Sequence, residues 1–286
     1  FLANQSGAAD AVWRNDGSAF TDIAAALHMD GPKRTQAEGG VGCAVGDYNN
    51  DGLFDIFLAS YGPNRLYRQN PDHTFTEVLA GMGLGIENHA VGASWGDYDN
   101  DGFLDLYVTS YEGPSGSQTP HDWLLHNVGG KGFVNVIGKD SPLNVGDHGV
   151  EFVDYDNDGG LDLSVNKGYG ETGGHSLFRN TLPDSVKRRS LSVLVLDASG
   201  HHTRFGAEVR LFDAAGKVIA SRPVSTGGGY GVENAAPVHF GLTSMAKVSV
   251  EVTFMTKAGR KTQTVRNVDP ATYYGKSLIV REAGAK

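Results

Sequence analysis

The sequence predicts an all-β chain in which a partial β-propeller is followed by a small antiparallel β-sandwich-like domain. Three observations support this fold class. An Asp-rich segment of nine residues occurs three times, each copy lies between two apolar strands, and the 40 glycines among 286 residues are about twice the usual share. Because glycine-rich turns separate short strands, we expect a succession of hairpins along most of the chain.

The three Asp-rich segments share one pattern, D-x-[DN]-x-D-G-x-x-D, at residues 47–55, 97–105 and 154–162. Side-chain oxygens at positions 1, 3, 5 and 9 and the carbonyl at position 7 of this pattern can surround one hard cation. Calcium accepts about 6–8 oxygens at about 2.3–2.6 Å, and the glycine at position 6 permits the sharp turn. The sequence therefore predicts three calcium sites with these ligands: Asp47, Asn49, Asp51, Leu53 and Asp55; Asp97, Asp99, Asp101, Phe103 and Asp105; Asp154, Asp156, Asp158, Gly160 and Asp162.

An EF-hand shares the first part of this pattern but needs a bidentate Glu at position 12 and flanking helices. Position 12 is Leu58, Val108 and Val165 here, so the sequence excludes an EF-hand. The three segments hold eleven of the 33 acidic residues, which leaves 22 acids against 24 bases elsewhere. The net charge of −9 is therefore local to the predicted metal loops, and it argues against a nucleic-acid partner.

Each Asp-rich segment belongs to a longer repeated unit. An apolar strand precedes the segment, at 41–45, 91–95 and 149–153, and a second strand follows it. After a variable loop comes a third strand, which contains Leu66, Leu124 or Leu177. A fourth short strand closes the unit, as at 73–78. Four short strands in each unit, with the units about 50 residues apart, are typical of propeller blades.

These repeats resemble the FG-GAP/VCBS-type calcium blades of integrin α-subunits, of cartilage acidic protein and of its bacterial relatives. The resemblance covers roughly residues 1–183 and rests on the Asp-rich segments. It implies a β-propeller whose calcium loops join the first and second strands of each blade on one face.

The number of repeats does not complete a ring. Residues 1–24 resemble the end of an earlier unit without its first strand and calcium loop, and the third unit has no clear fourth strand. Propellers use about 4–8 blades, because a terminal blade leaves an unpaired edge. We therefore expect a longer N-terminal segment or a second chain to complete the propeller.

A polar, basic stretch at 184–189 is predicted to be a linker, and the pattern changes at residue 190. Alternating strands are predicted at 191–196, 207–212, 218–225, 247–254 and 277–281. Residues 204–209, 225–230 and 238–242 resemble the ASPIC/UnbV domain that follows such blades in cartilage acidic protein-like proteins. Relatives usually carry a Trp-Pro pair where this chain has residues 252–255, which weakens the transfer of function.

The single cysteine, Cys43, excludes an internal disulfide and is interpreted as a small buried hydrophobe. An extracellular or periplasmic location is expected, and a secreted protein without a disulfide needs another stabilising element, for which calcium is the obvious candidate. No apolar run approaches the roughly 20 residues that span a bilayer, so no membrane span is expected.

The propeller face opposite the calcium loops is predicted to collect residues that suit recognition or acid–base chemistry. The candidates are His89, His121, His148, Tyr111, Tyr169 and Glu151. One hypothesis is a calcium-stabilised binding protein that recognises a protein or carbohydrate ligand through this face. The alternative is a dehydratase-type lyase or a hydrolase of a carbohydrate-like substrate, with His89, His121 or His148 as the base.

Overall fold

The computed structural model describes residues 1–84, 89–111, 121–138, 140–144, 148–167, 174–226, 230 and 232–284. The small sheets of this part of the chain have a propeller arrangement, as the sequence predicted. The N-terminal region contains a hairpin, β1 (Trp13–Asn15) and β2 (Phe20–Asp22). Three short 3-10 helices accompany the strands, at Ala25–Leu27, Leu79–Met82 and Pro270–Tyr273.

Three sheets follow the predicted blade pattern, in which sequential strands pair antiparallel. The first blade contains β3 (Gly40–Gly46), β4 (Asp55–Ser60), β5 (Arg65–Gln69) and β6 (Phe75–Glu77). The second contains β7 (Ala90–Gly96), β8 (Asp105–Ser110), β9 (Trp123–Asn127) and β10 (Phe133–Asn135). The third contains β11 (Val150–Val153), β12 (Asp162–Lys167) and β13 (Gly174–Phe178), and its sheet has three strands among the described residues.

The inner strands β3, β7 and β11 lie side by side, and glycines permit their close approach. A Cβ atom at Gly42 would lie 2.4 Å from the carbonyl oxygen of Val91, and one at Gly92 would lie 2.4 Å from that of His148. Any larger residue at these two positions would force the blades apart. Apolar clusters fill the spaces between adjacent sheets, with Phe57 and Val108 in the first interface and Phe152 in the second.

The N-terminal region is attached to the first blade through a buried charge cluster. Asp10 lies between two arginines, with its Oδ1 2.8 Å from Arg34 Nη2 and its Oδ2 3.5 Å from Arg65 Nη1. The side chains of all three residues are at most 6% exposed. Because Arg65 belongs to β5, this cluster ties residues far apart in sequence into one unit.

The C-terminal domain has two sheets around one apolar core. One sheet has the order β16-β15-β18-β19, and the other has the order β17-β14-β20. Their strands are β14 (Ser190–Leu196), β15 (Glu208–Phe212), β16 (Val218–Pro223), β17 (Val238–Gly241), β18 (Val248–Thr256), β19 (Gly259–Val268) and β20 (Leu278–Arg281).

Three features of this region differ from the sequence interpretation. The 184–189 stretch contains a one-turn helix, α1 (Asp184–Lys187), rather than only a linker. β17 and β19 were not among the predicted strands, and β19 is a mostly exposed edge strand whose polar residues give little apolar signal. β20 pairs parallel to β14, in a domain that is otherwise antiparallel in its described strand pairs.

The C-terminal domain packs against the inner strands of the three blades. Tyr230 N lies 3.3 Å from the position of a Cβ atom at Gly42 on β3, and Asn234 Nδ2 donates to Glu151 Oε1 on β11 at 2.9 Å. A cavity of about 270 Å³ between the two parts includes Ser94 of β7 in its wall. The domain therefore packs beside β3, β7 and β11, and the small sheets together have a five-blade propeller arrangement. Among the described residues, no helix is long and apolar enough to cross a membrane.

Candidate functional site

The three Asp-rich loops connect the first two strands of each blade and have one backbone conformation. The asparagine at position 4 is left-handed in every copy, with φ of 55° at Asn50, 55° at Asn100 and 58° at Asn157. The glycine at position 6 has φ between 84° and 93° in the three copies. Asn and Gly tolerate this region best, so these two residues allow nine positions to wrap around one point.

Backbone N–H groups orient the loop carboxylates in the same way in each copy. The position-1 carboxylate accepts from the N–H groups of positions 5 and 6 at 2.9–3.0 Å. The position-9 carboxylate accepts from a backbone N–H at the end of the third strand or two residues beyond it: Asp55 from Gln69 at 2.9 Å, Asp105 from Asn127 at 2.8 Å and Asp162 from Asn180 at 2.7 Å.

Carboxylate oxygens converge in two of the loops. Those of Asp97, Asp99 and Asp105 lie within 4.8 Å of one another, and so do those of Asp154, Asp156 and Asp162. The first loop carries Asn49 where the others have an aspartate, and this amide also offers an oxygen ligand. Clusters of hard oxygen donors on a short backbone turn match the ligand preferences of calcium.

The environment of the loops disfavours the ionised form of several aspartates. Burial, followed by the neighbouring Asp97, Asp99 and Asp101, raises the pKa of Asp105 to about 9. Burial, with Asp47 and Asp51, raises the pKa of Asp55 to about 8. Burial is also the largest cause of the raised pKa of Asp97, to about 7, and of Asp47 and Asp154, to about 6. A nearby cation favours the ionised form of such crowded carboxylates, so the residues present fit a divalent ion.

The third loop has protein cations of its own. Lys187 of α1 donates to Asp158 Oδ2, and Arg179 Nη2 lies 2.8 Å from Asp156 Oδ2. Burial works against the charged form of Asp158, but the Lys187 hydrogen bond keeps the pKa of that carboxyl below its ordinary value. The sequence interpretation missed Lys187, because no spacing rule connects it to a loop 29 residues away. Of the three loops, the third has the most protein charge to displace.

Asparagine side chains bridge each loop to the next. Asn50 Nδ2 in the first loop donates to the carbonyl of Gly102 in the second at 2.9 Å, and Asn100 Nδ2 donates to the carbonyl of Gly159 in the third at 2.9 Å. At the end of β9, Asn127 Nδ2 donates at 2.8 Å to the carbonyl of Tyr48 in the first loop. It also donates at 2.8 Å to the carbonyl of Leu104 in the second loop. The loops therefore form one hydrogen-bonded array.

A row of rings lies at the opposite end of the inner strands, where the sequence predicted recognition or acid–base residues. Ring centroids are 4.5 Å apart for Tyr61 and His89, 6.0 Å for His89 and Tyr111, and 5.7 Å for Tyr111 and His148. Tyr230 of the C-terminal domain extends the row, 5.7 Å from His148. We call these five residues the ring row.

The structure brings some of the predicted candidates together. His89, Tyr111 and His148 belong to the ring row, whereas Glu151 lies in the cavity wall and accepts from Asn234 and, at 3.4 Å, from Ser94. His121 lies two residues before β9, and Tyr169 lies outside the described residues. Tyr230 was not a candidate. It follows a glycine run, and only the docking of the C-terminal domain shows its place.

The contact between His89 and Tyr111 also determines which ring nitrogen of His89 carries the proton. His89 Nδ1 donates to the carbonyl oxygen of Tyr111 at 2.6 Å, so the neutral imidazole presents Nε2 as an acceptor. The backbone supports this geometry, because Tyr111 N donates to the carbonyl of His89 at 3.0 Å and His89 has a φ of 53°. His89 is thus oriented as a hydrogen-bond acceptor or a base.

Two known families match this chain, one in the blades and one in the C-terminal domain. Residues 47–108, which span the first two Asp-rich loops, match the FG-GAP-like repeat. Residues 198–283 match the family described as ASPIC and UnbV. Both family assignments made from the sequence are confirmed. No curated protein gives a significant match to the chain.

Proposed function

We propose that this chain, which carries an FG-GAP-like repeat and an ASPIC and UnbV domain on a propeller of small sheets, is a calcium-stabilised binding protein. Its ligand is recognised by the ring row, on the face opposite the calcium loops. An extracellular or periplasmic location is part of the proposal, because calcium sites of modest affinity fill where free calcium is abundant.

The observation that carries the proposal is the threefold recurrence of one loop geometry with inward carboxylates. Titration calorimetry of the chelator-treated protein with calcium tests it. We expect three binding events, the weakest at the third loop, since Lys187 and Arg179 must release Asp158 and Asp156 there.

A variant of the second loop sharpens this titration. Asp105→Asn removes a carboxylate from the second loop and is expected to abolish one event. Asp30→Asn changes an exposed aspartate outside the loops and is expected to leave three. A titration without heat from any calcium event would refute the proposal.

The ring row supports the recognition part of the proposal. The ring centroids of Tyr61, His89 and Tyr111 all lie within 6.1 Å of one another, so these three residues form a compact aromatic cluster that carries hydroxyl and imidazole groups. A surface that presents hydroxyl and imidazole edges suits a polyhydroxylated ligand such as a carbohydrate.

Binding to an array of glycans, in calcium, tests this surface. We expect a restricted set of glycans to bind and Tyr111→Ala to weaken binding by about 5-fold or more, because it removes the ring that lies next to both His89 and His148. Phe20→Ala, at a side chain 64% exposed on β2, is the matched control and is expected to bind as the wild type does. Equal binding by both variants would contradict the assignment of the ring row.

A second candidate function rests on the orientation of His89. With Nδ1 committed to the Tyr111 carbonyl, Nε2 is available to accept a proton, as a dehydratase-type lyase or a hydrolase requires. Assaying the bound glycans for new unsaturated or reducing ends separates the two functions. Products that are formed by the wild type and lost in His89→Gln would establish an enzyme, and intact glycans would leave a binding protein.

A further inference from the structure

We infer that the outer surface of the three Asp-rich loops is the docking surface for the chain's own C-terminal domain, and that calcium in the loops holds this domain in place. The inference rests on the proposed calcium sites, and it assigns the ions a role beyond stabilising each blade.

Each of the three loops contacts the C-terminal domain close to its position-6 glycine. In the first loop the carbonyl of Gly52 accepts from Arg210 Nη2 at 3.2 Å, and in the third the carbonyl of Gly159 lies 3.3 Å from His239 Nε2. In the second loop a Cβ atom at Gly102 would lie 3.4 Å from Thr243 Cγ2. One repeated feature of the loops therefore contacts β15, β17 and the segment just after β17 in one domain.

The contact at the second loop leaves no space for a side chain. A Cβ atom at Gly241, on β17, would lie 2.1 Å from Asp97 Oδ2 and 2.6 Å from Asn100 Cα. The nearest atoms to that Cβ position all belong to the loop, so the close fit is between the two domains and not within the C-terminal domain. A displacement of Asp97 or Asn100 would be transmitted directly to β17.

Calcium fixes the position of these loop atoms. Without a cation, the carboxylates of Asp97, Asp99 and Asp105 repel one another whenever they are ionised, because their oxygens lie within 4.8 Å of one another. Relief of that repulsion moves the loop backbone, which is the surface that β17 contacts. Because Asn50 and Asn100 link the loops, a shift in one loop also reaches the next.

Arg222 of the C-terminal domain opposes this effect, because it favours docking when calcium is absent. It is 4% exposed and lies in the field of Asp97 and Asp47, so empty, anionic loops attract it. Its Nε and Nη2 atoms form no hydrogen bond, and among the described residues it forms no ion pair with either carboxylate within 4.0 Å. One guanidinium cannot balance the acids of two loops, so we expect the distortion of the loops to dominate over this attraction.

Cys43, the single cysteine, reports the docking without any engineering. It lies on β3, lines the cavity between the blades and the C-terminal domain, and is half-buried. Undocking opens this cavity and exposes the thiol. The rate at which a thiol reagent such as a soluble aromatic disulfide labels Cys43 therefore measures how often the domain separates.

The experiment compares Cys43 labelling of the full chain in excess calcium and in excess chelator, below the melting temperature of the chelated protein. We expect labelling to be at least 10-fold faster in chelator while the β-sheet circular dichroism is retained. In calcium, Gly241→Ala is expected to label faster than the wild type because its methyl group collides with the second loop. Gly132→Ala, whose methyl group meets open space, is the matched control.

Calorimetry on the same samples separates the two proposals. If no calcium binds, the proposed function and this inference both fail. If calcium binds and Cys43 labelling is unchanged, or is slower in chelator because Arg222 dominates, the sites stand and the docking role is overturned. Labelling that accelerates only together with loss of circular dichroism reports global unfolding and also overturns it.

Discussion

Removal of calcium is expected to lower the melting temperature of this protein by roughly 20 °C. An ion bound only by the folded state adds about 2.7 kcal/mol when its concentration is 100 times the dissociation constant. Three such sites contribute roughly 8 kcal/mol, and each kcal/mol shifts the melting temperature of a domain of this size class by about 2–4 °C. Melting curves by circular dichroism, with calcium and with chelator, measure the effect.

The stability of the calcium-free protein is expected to change with pH in a defined direction, which provides a control. Folding raises the pKa of Asp47 to about 6, of Asp97 to about 7 and of Asp105 to about 9, so the folded state binds more protons than the unfolded state at these groups. Their contribution to stability is therefore lost as the pH rises from about 4, the pKa of an unfolded aspartate, through those values.

We accordingly expect the chelated protein to melt at a higher temperature at pH 5 than at pH 8. In calcium the order is expected to reverse, because protons compete with the ion for the same carboxylates. Melting curves that are identical with and without chelator at both pH values would show that the loops do not bind calcium.

The substitution Asp10→Ala is expected to destabilise the protein by about 3–5 kcal/mol, the usual cost of removing one partner from a buried ion pair. Asp10 is the shared anion for Arg34 and Arg65, whose side chains are 2% and 6% exposed, and its loss leaves both guanidinium groups without a counter-charge from this residue. Asp10 Oδ1 also accepts from the N–H of Asn4 at 3.0 Å. Urea unfolding measured by circular dichroism gives the free energy of unfolding of each variant.

An exposed ion pair in the same region supplies the matched control. Arg14 Nε and Asp16 Oδ1 are 2.7 Å apart, but the two side chains are 60% and 35% exposed. We expect Asp16→Ala to cost far less than Asp10→Ala, because water replaces the lost partner of an exposed pair. Equal losses for Asp10→Ala and Asp16→Ala would show that the buried cluster does not hold the N-terminal region to the first blade.

The sequence alone determined those features that depend on a few adjacent residues. The aspartates, the left-handed Asn and the Gly of each loop lie within nine positions, so their spacing predicts both the turn and the convergence of carboxylates. The strands that flank the loops are similarly predictable, because alternation and apolar content are local properties. The same applies to five of the C-terminal strands that carry an apolar face, whereas the short strand β17 was not predicted and the polar edge strand β19 has no such signal.

Only the tertiary structure decided which distant parts meet. The sequence places Tyr61, His89 and Tyr111 at one end of the inner strands, but their stacking depends on the inner strands approaching at Gly42 and Gly92. The partnership of Lys187 with Asp158, the addition of Tyr230 to the ring row and the fit of Gly241 against Asp97 depend on where the C-terminal domain packs. That packing is set by shape and charge complementarity between surfaces, and this complementarity has no periodic pattern along the chain.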